Sequence, residues 1–201
     1  INKEKEESIK KLAFLTTLVV AVAGVVMALQ FKRNDAGLQF VEKHQWIPTF
    51  GINYAVGIDG IALVLILMSV ILAPIVVLAG WNEATGGRWS VKTFYVLILV
   101  LETMMIGVFA ATDIFLFYVF FEAMLIPVYF LIGGYGRGER AQAAMKFLLY
   151  SLLGGLLMLG AVIGIFIIAV NQVGPTFDVA TLSHLVIDKP TQNWLFLGFF
   201  A

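Results

Sequence analysis

The sequence contains no cysteine and only two histidines among its 201 residues. Without cysteine the chain can form no disulfide, no thiolate metal site and no cysteine-ligated iron–sulfur cluster. The two histidines, His44 and His184, fall in different predicted loops, which argues against a haem held by two histidines within a membrane. The chain has no glycine-rich nucleotide-binding turn, and its net charge of zero gives no indication of nucleic-acid binding. We therefore expect no cofactor, metal or nucleic acid to bind this chain.

Charged residues are also scarce, at 13% of the chain, whereas hydrophobic residues make up 61% and the mean hydropathy is +0.96. A soluble domain of this length would need far more polar surface, so the composition indicates a polytopic membrane protein. The first apolar run lacks a small-residue cleavage site and further runs follow it, so no signal peptide is predicted. Because the sequence starts at Ile1 and stops at Ala201 inside an apolar run, we expect it to be an internal part of a longer protein.

A charged leader at residues 1–11 precedes five complete apolar runs and the start of a sixth. Each run is close to the roughly 20 residues that a helix needs to cross a hydrocarbon core. Helices are expected because open strands cannot satisfy their backbone groups in lipid. The predicted fold is an all-α bundle of transmembrane helices in a single transmembrane domain, residues 12–201. The predicted spans are about 12–31, 56–81, 92–111, 113–134, 141–171 and an incomplete one from 194, with polar loops at 32–55 and 172–193.

Basic residues are unequally divided between the two sides that these alternating spans define. The leader and the loops at 82–92 and 135–140 share one side and hold eight lysines and arginines, against four on the other side. An excess of basic residues marks the cytoplasmic side, so the leader is predicted to be cytoplasmic. The eight are Lys3, Lys5, Lys10, Lys11, Arg88, Lys92, Arg137 and Arg140, and the four are Lys32, Arg33, Lys43 and Lys189.

Three ionisable residues fall inside predicted spans: Glu102 in the third, Glu122 in the fourth and Lys146 in the fifth. A charge at mid-bilayer costs roughly 2.5 to more than 10 kcal/mol, so such groups usually face other helices or water and mark ion pathways. Each acid is ten residues from Thr112, about 15 Å of helix, so both are predicted near the midplane at similar depth. The depth of Lys146 should differ from that of Glu122 by about 10 Å, which favours a bridging water over direct contact.

A buried acid and a buried base are pushed towards titrating in the same pH range, where a proton can move between them. We therefore interpret Glu122, Lys146 and Glu102 as candidate members of a proton relay. Two structural interpretations stay open: a static ion pair that joins helices, and a lysine that extends its amine to the membrane surface.

Other residues have expected local roles. Asp59, at the head of the second span, is expected to cap a helix or to be solvated at the interface. Pro127, five residues after Glu122, has two open interpretations: it frees a backbone carbonyl and opens a polar gap beside the acid, or it only bends the helix. Four glycines of the fifth span, Gly154, Gly155, Gly160 and Gly164, are typical of close helix packing, and the last two have GxxxG spacing.

Three stretches resemble the antiporter-like membrane subunits of respiratory complex I, above all the subunit M (chain 4) branch. They are GIDGIALVL (57–65), DIFLFYVFFEAMLIPVYFLIGGYG (113–136) and AAMKFLLYSLLGGLLML (143–159). The resemblance covers residues 12–201 and implies a family of about fourteen helices containing two inverted five-helix repeats. By this resemblance Glu122 is the acid of the fifth family helix and Lys146 the lysine of the sixth. The family pairs that acid with a lysine on the seventh helix, which would lie beyond Ala201.

The resemblance implies a proton-translocating subunit of NADH–quinone oxidoreductase that carries no redox centre itself. NADH, FMN, iron–sulfur clusters and quinone would belong to other subunits. The expected partners are the other membrane subunits of the complex, especially neighbouring antiporter-like subunits, and the lipid of a bacterial inner membrane. Two rival functions remain open: a subunit of a multisubunit Na⁺/H⁺ antiporter, and a structural membrane spacer.

Overall fold

The structure is a computed structural model that describes residues 3–32, 34–35, 37–82 and 89–200. Arg33 and Arg88, which entered the comparison of basic residues, lie outside the described residues, and so does Ala201. Seven α-helices and one two-stranded sheet make up the described part of the chain. In order these are α1 (Lys3–Gln30), β1 (Gln39–Ile47), β2 (Ile52–Ile58), α2 (Gly60–Ala79), α3 (Val91–Ala110), α4 (Ile114–Tyr135), α5 (Arg140–Gln172), α6 (Val179–Leu182) and α7 (Lys189–Phe199).

The five helices α1 to α5 are each long and apolar enough to cross a membrane, which confirms the predicted class of all-α polytopic membrane protein. Helix α1 begins at Lys3 and continues without a break from the charged leader into the apolar run. The described bounds of α3, α4 and α5 lie within one residue of the predicted spans. Both α2 and α4 continue through their internal prolines, Pro74 and Pro127, which are buried.

The region 32–55, predicted as a polar loop, instead contains most of an antiparallel β-hairpin. Strand β1 pairs with β2 through partners such as Lys43 and Ala55, so His44 lies in a strand rather than a loop. A turn of 3₁₀-helix and Gly51 connect the strands, and Gly51 has a φ of 67°, where a side chain would be strained. Because β2 extends to Ile58, helix α2 begins at Gly60 and not near residue 56.

Helix starts are capped by short polar side chains. Asp59 accepts a hydrogen bond from the backbone N–H of Ala62 at 2.7 Å, which confirms its predicted capping role. Ser90 caps α3 through the N–H of Thr93, and Asp188 caps α7 through the N–H of Thr191. These caps satisfy N–H groups that the first helical turn leaves without partners.

Each span packs on the next one in the sequence, and α1 also packs on α3. On the side of the leader, a buried cluster of Ala13, Val77 and Tyr95 joins α1, α2 and α3. Helix α7 packs on α5, where Gly164 would place a β-carbon 2.8 Å from Leu195. A β-carbon on Gly160 would meet nothing within 4 Å, so only the second glycine of the GxxxG pair lies at a close helix contact.

Contacts between distant segments assign the connections to two sides. On the leader side, Lys10 Nζ of α1 lies 5.8 Å from the centroid of the Trp81 ring that follows α2. On the opposite side, which we call the hairpin side, Lys43 of β1 forms an ion pair with Asp178 in the connection between α5 and α7. The spans therefore alternate in direction, as the sequence predicts.

Candidate functional site

Glu122 lies in the middle of α4, and its carboxyl group is directed at the neighbouring helix α5. Its Oε1 atom is buried and accepts no hydrogen bond from any residue that the structure describes. The carboxyl group lies directly against Gly155 of α5, since a β-carbon added to this glycine would overlap Oε1. A carboxyl group whose Oε1 is buried between two helices can hold or release a proton when water reaches it.

Glu102 is the more deeply buried acid, with 6% of its surface exposed. Its Oε1 also has no hydrogen-bond partner among the described residues. The side chain lines a cavity of about 200 Å³ between α2 and α3, together with Ser69 of α2. The Ser69 hydroxyl donates to the carbonyl of Leu65 at 2.9 Å, so its proton is used within its own helix. The remaining residues that line this cavity are Met68, Leu72, Ala73, Val76, Ile98, Leu101 and Met105.

The two acids therefore face different helices, Glu102 towards α2 and Glu122 towards α5. Glu102 lies eight residues before the end of α3 at Ala110, and Glu122 lies eight residues after the start of α4 at Ile114. Eight residues of helix rise about 12 Å, so counting along the helices still gives the acids similar depths. Their equal depth stays a prediction, and the buried Oε1 atom of each acid has no hydrogen-bond partner in the described part of the chain.

Lys146 lies in the second turn of α5 and is exposed. It forms no ion pair with the residues described, and it lies nine residues before Gly155, the residue that Glu122 contacts. Nine residues correspond to about 13.5 Å along the helix, somewhat more than the expected difference in depth. The structure thus does not bring Lys146 and Glu122 together, and a relay role for Lys146 stays a prediction.

Sequence reasoning missed the polar junction on the hairpin side, at the turn between α3 and α4. Asp113 is fully buried there and accepts hydrogen bonds from the backbone N–H groups of Asn53, Phe115 and Leu116 at 3.0, 2.9 and 3.1 Å. Burial raises the pKa of Asp113, although these three hydrogen bonds oppose the change. An Asp immediately before an apolar helix is a cap signal that could have indicated part of this arrangement.

The same junction joins three segments through backbone hydrogen bonds. The N–H of Thr112 donates to Ala55 of the hairpin at 2.9 Å, and its carbonyl accepts from Val179 at 3.0 Å. The N–H of Ile114 donates to Phe177 at 2.9 Å. The turn is therefore fixed to both the hairpin and the α5–α7 connection.

A cleft of about 370 Å³ lies beside this junction and is lined by Lys43, Asp59, Thr112 and Asp178, among others. Lys43 Nζ lies 3.0 Å from Asp178 Oδ2. Partial burial opposes ionisation of Asp178, but the ion pair with Lys43 and backbone N–H donors outweigh it and lower the pKa of this carboxyl group. Within residues 3–32, 34–35, 37–82 and 89–200, no three His, Cys, Asp or Glu side chains are grouped to hold a metal ion.

Comparison with known proteins shows which class of membrane protein this helix bundle resembles. Residues 111–201 match the family described as "NADH:quinone oxidoreductase/Mrp antiporter, TM". Through this segment the chain is similar to antiporter-like membrane subunits. In particular, it is similar to NADH-quinone oxidoreductase subunit M of Mycobacterium tuberculosis, with 42% identity over 218 residues that cover 92% of this chain and 39% of that protein.

Solved structures have the same arrangement of helices. A chain of respiratory complex I from Thermus thermophilus matches with a TM-score of 0.77 and 28% identity, over 93% of this chain and 38% of that one. A chain of the Mrp complex from Dietzia sp. DQ12-45-1b matches with a TM-score of 0.68, over 94% of this chain and 22% of that one. Its identity is 18%, so this second likeness concerns the fold alone. The chain spans about two fifths of the length of the curated relative it matches.

Proposed function

We propose that this chain is a proton-translocating part of a membrane subunit of respiratory complex I. The observation that carries the proposal is Glu122, an acid in the middle of a transmembrane helix whose buried Oε1 has no hydrogen-bond partner among the described residues. Keeping such a group in a membrane is costly, and proton transfer gives a reason for the cost. The family match to NADH:quinone oxidoreductase subunits supports this function over that of an inert spacer.

In the proposed mechanism Glu122 takes up a proton from one side of the membrane and later releases it towards the other. Lys146, on the leader side of Glu122 along α5, would change the electrostatic potential at the carboxyl group as its own charge changes. Glu102, facing α2, would offer a second proton-holding position. NADH oxidation and quinone reduction, with FMN and iron–sulfur clusters, would take place on other subunits and supply the energy.

The proposed setting is a bacterial inner membrane, with the leader in the cytoplasm. The basic residues on the leader side support this orientation. The proposed partners are the other membrane subunits of the complex, with antiporter-like subunits as direct neighbours.

Replacement of Glu122 by Gln tests the proposal, because Gln keeps the size of the side chain but cannot exchange a proton. We expect Glu122→Gln to reduce proton pumping by about a hundredfold, the usual scale of general acid–base contributions, in a complex that still assembles. The control is Glu139→Gln, which changes an exposed acid in the turn before α5 and should leave pumping unchanged. Full pumping by an assembled Glu122→Gln complex would favour the structural spacer.

The second candidate function, a subunit of a multisubunit Na⁺/H⁺ antiporter, is favoured by the Mrp part of the family description. An antiporter needs no redox partner. Flavin and iron–sulfur absorbance in the intact purified complex would support the complex I assignment, whereas their absence would support the antiporter.

A further inference from the structure

Where α4 crosses α5, the carboxyl group of Glu122 lies in the space that a side chain at Gly155 would occupy. A β-carbon built on Gly155 would overlap Glu122 Oε1 and would lie 2.7 Å from Glu122 Cδ and 3.3 Å from Oε2. Real β-carbons essentially never approach another heavy atom closer than about 3 Å. The carboxyl group therefore occupies the volume that any other residue at position 155 would fill.

Neighbouring glycines show that this contact is specific to position 155. On the same helix, a β-carbon on Gly160 would meet nothing within 4 Å, and one on Gly164 would meet only the end of the Leu195 side chain. On the facing helix, a β-carbon on Gly133 would lie 3.5 Å from that of Ala144, an ordinary van der Waals distance. At Gly133, the approach of α4 to α5 thus does not depend on glycine.

Gly155 also lines a cleft of about 360 Å³ on α5, whose polar members include Ser151 and Tyr150. Gly155 therefore contacts the Glu122 carboxyl group and also lines this cleft. Because glycine has no side chain, no methyl group lies between the acid and the cleft at this position.

We propose that Gly155 is a positioning residue that holds the Glu122 carboxyl group in its proton-transfer geometry between α4 and α5. This inference depends on the proposed function of Glu122. A methyl group at position 155 would displace the carboxyl group by an ångström or more. Misplacement of a reacting group by about 1 Å can reduce a rate about a hundredfold.

The test uses the full-length subunit in its assembled complex, reconstituted into liposomes, with protons pumped per electron as the first readout. Gly155→Ala should lower this ratio by about tenfold or more through misplacement of the acid. The matched control is Gly160→Ala, five residues along the same helix, which should leave the ratio unchanged because its β-carbon meets open space.

A compensating variant separates positioning from general damage to the helix contact. Asp at position 122 is one methylene shorter than Glu and leaves room for a methyl group at position 155. The double variant Glu122→Asp/Gly155→Ala should therefore pump as well as Glu122→Asp alone and should assemble even where Gly155→Ala does not. The reduction in pumping of the double variant could instead equal the product of the reductions in the two single variants, or the double variant could also fail to assemble. Either result would show that Gly155 does not act through the carboxyl group.

Infrared difference spectra provide a readout that does not depend on pumping. The carboxyl bands that disappear in Glu122→Gln should shift in Gly155→Ala and stay in place in Gly160→Ala. If the bands do not shift in Gly155→Ala, the positioning role is wrong, even if Glu122 itself is required for pumping. If the bands shift in Gly155→Ala but Glu122→Gln still pumps fully, the contact between Gly155 and Glu122 is supported and the proposed function of Glu122 is wrong.

Discussion

The carboxylate of Asp113 accepts a hydrogen bond from the backbone N–H of Asn53 at 3.0 Å and so joins the β-hairpin to the start of α4. The other oxygen of the same side chain caps α4 through two further backbone N–H groups. One buried acid thus fixes the helix that carries Glu122 to the layer of structure on the hairpin side.

Asp113→Ala should destabilise this junction, because it leaves the buried N–H of Leu116 and the partly buried N–H groups of Asn53 and Phe115 without their acceptor. Each unsatisfied buried donor costs about 1–3 kcal/mol, so we expect a loss of about 2 kcal/mol or more. The control is Asp59→Ala, which removes an exposed cap with one acceptor contact and should cost about 1 kcal/mol. Amide hydrogen exchange at residues 53 and 114–117 measures this loss of stability. Equal protection of these amides from exchange in Asp113→Ala and Asp59→Ala would contradict the prediction.

The ion pair of Lys43 with Asp178 should contribute stability that depends on pH. The pKa of Asp178 is lower in the folded state than its ordinary value, so this stability is present above the ordinary pKa and is lost as pH falls through the folded one. Half of the Lys43 side chain is exposed, so Lys43→Met should cost at most about 1 kcal/mol at neutral pH.

Hydrogen exchange at Ala180 and Thr181, whose N–H groups donate to Asp178, is the measurement for this ion pair. The difference between Lys43→Met and the unmodified protein should shrink as pH falls below about 3.9, the ordinary pKa of Asp. Lys32→Met is the control, since Lys32 is an exposed lysine on the same side. A difference that persists unchanged at acid pH would exclude the ion pair as its cause.

Two exposed lysines on the leader side differ in their depth along the spans. Lys146 lies six residues after the start of α5, about 9 Å of helix, whereas Lys92 lies one residue after the start of α3. If Lys146 acts on the proton pathway, Lys146→Ala should reduce pumping by about tenfold or more, and Lys92→Ala should have little effect. Pumping by the two reconstituted variants is compared directly, and equal values would count against a role for Lys146 within the membrane.

Adjacent glycines near the end of α4 should respond differently to the same substitution. A β-carbon on Gly134 would overlap the ring of Trp89, whereas one on Gly133 would make an ordinary contact with Ala144. Gly134→Ala should therefore cost about 1–3 kcal/mol through overpacking. Gly133→Ala should be neutral or slightly stabilising, since alanine favours helix. Thermal unfolding followed by tryptophan fluorescence measures both variants, and equal melting temperatures would show that Trp89 moves aside at little cost.

The spans were predictable from sequence because the signal for a membrane helix is local. A helix in lipid must satisfy its own backbone groups and needs an apolar run of sufficient length, and both conditions can be read one segment at a time. The cap at Asp59 was predictable for the same reason. The hairpin was missed, although its two strands, separated by a turn containing Pro48 and Gly51, carried a usable signal.

Composition and hydropathy by themselves determined that the chain is a bundle of membrane helices with acids at Glu102 and Glu122. Only the tertiary structure decided that Glu102 faces α2, that Glu122 lies against Gly155, and that Lys146 is exposed more than two turns away from that contact. The hydropathy pattern locates each span in the sequence and so gives the position of a residue along its helix. The rotation of each helix about its axis depends on side-chain packing with its neighbours, and it sets which groups meet.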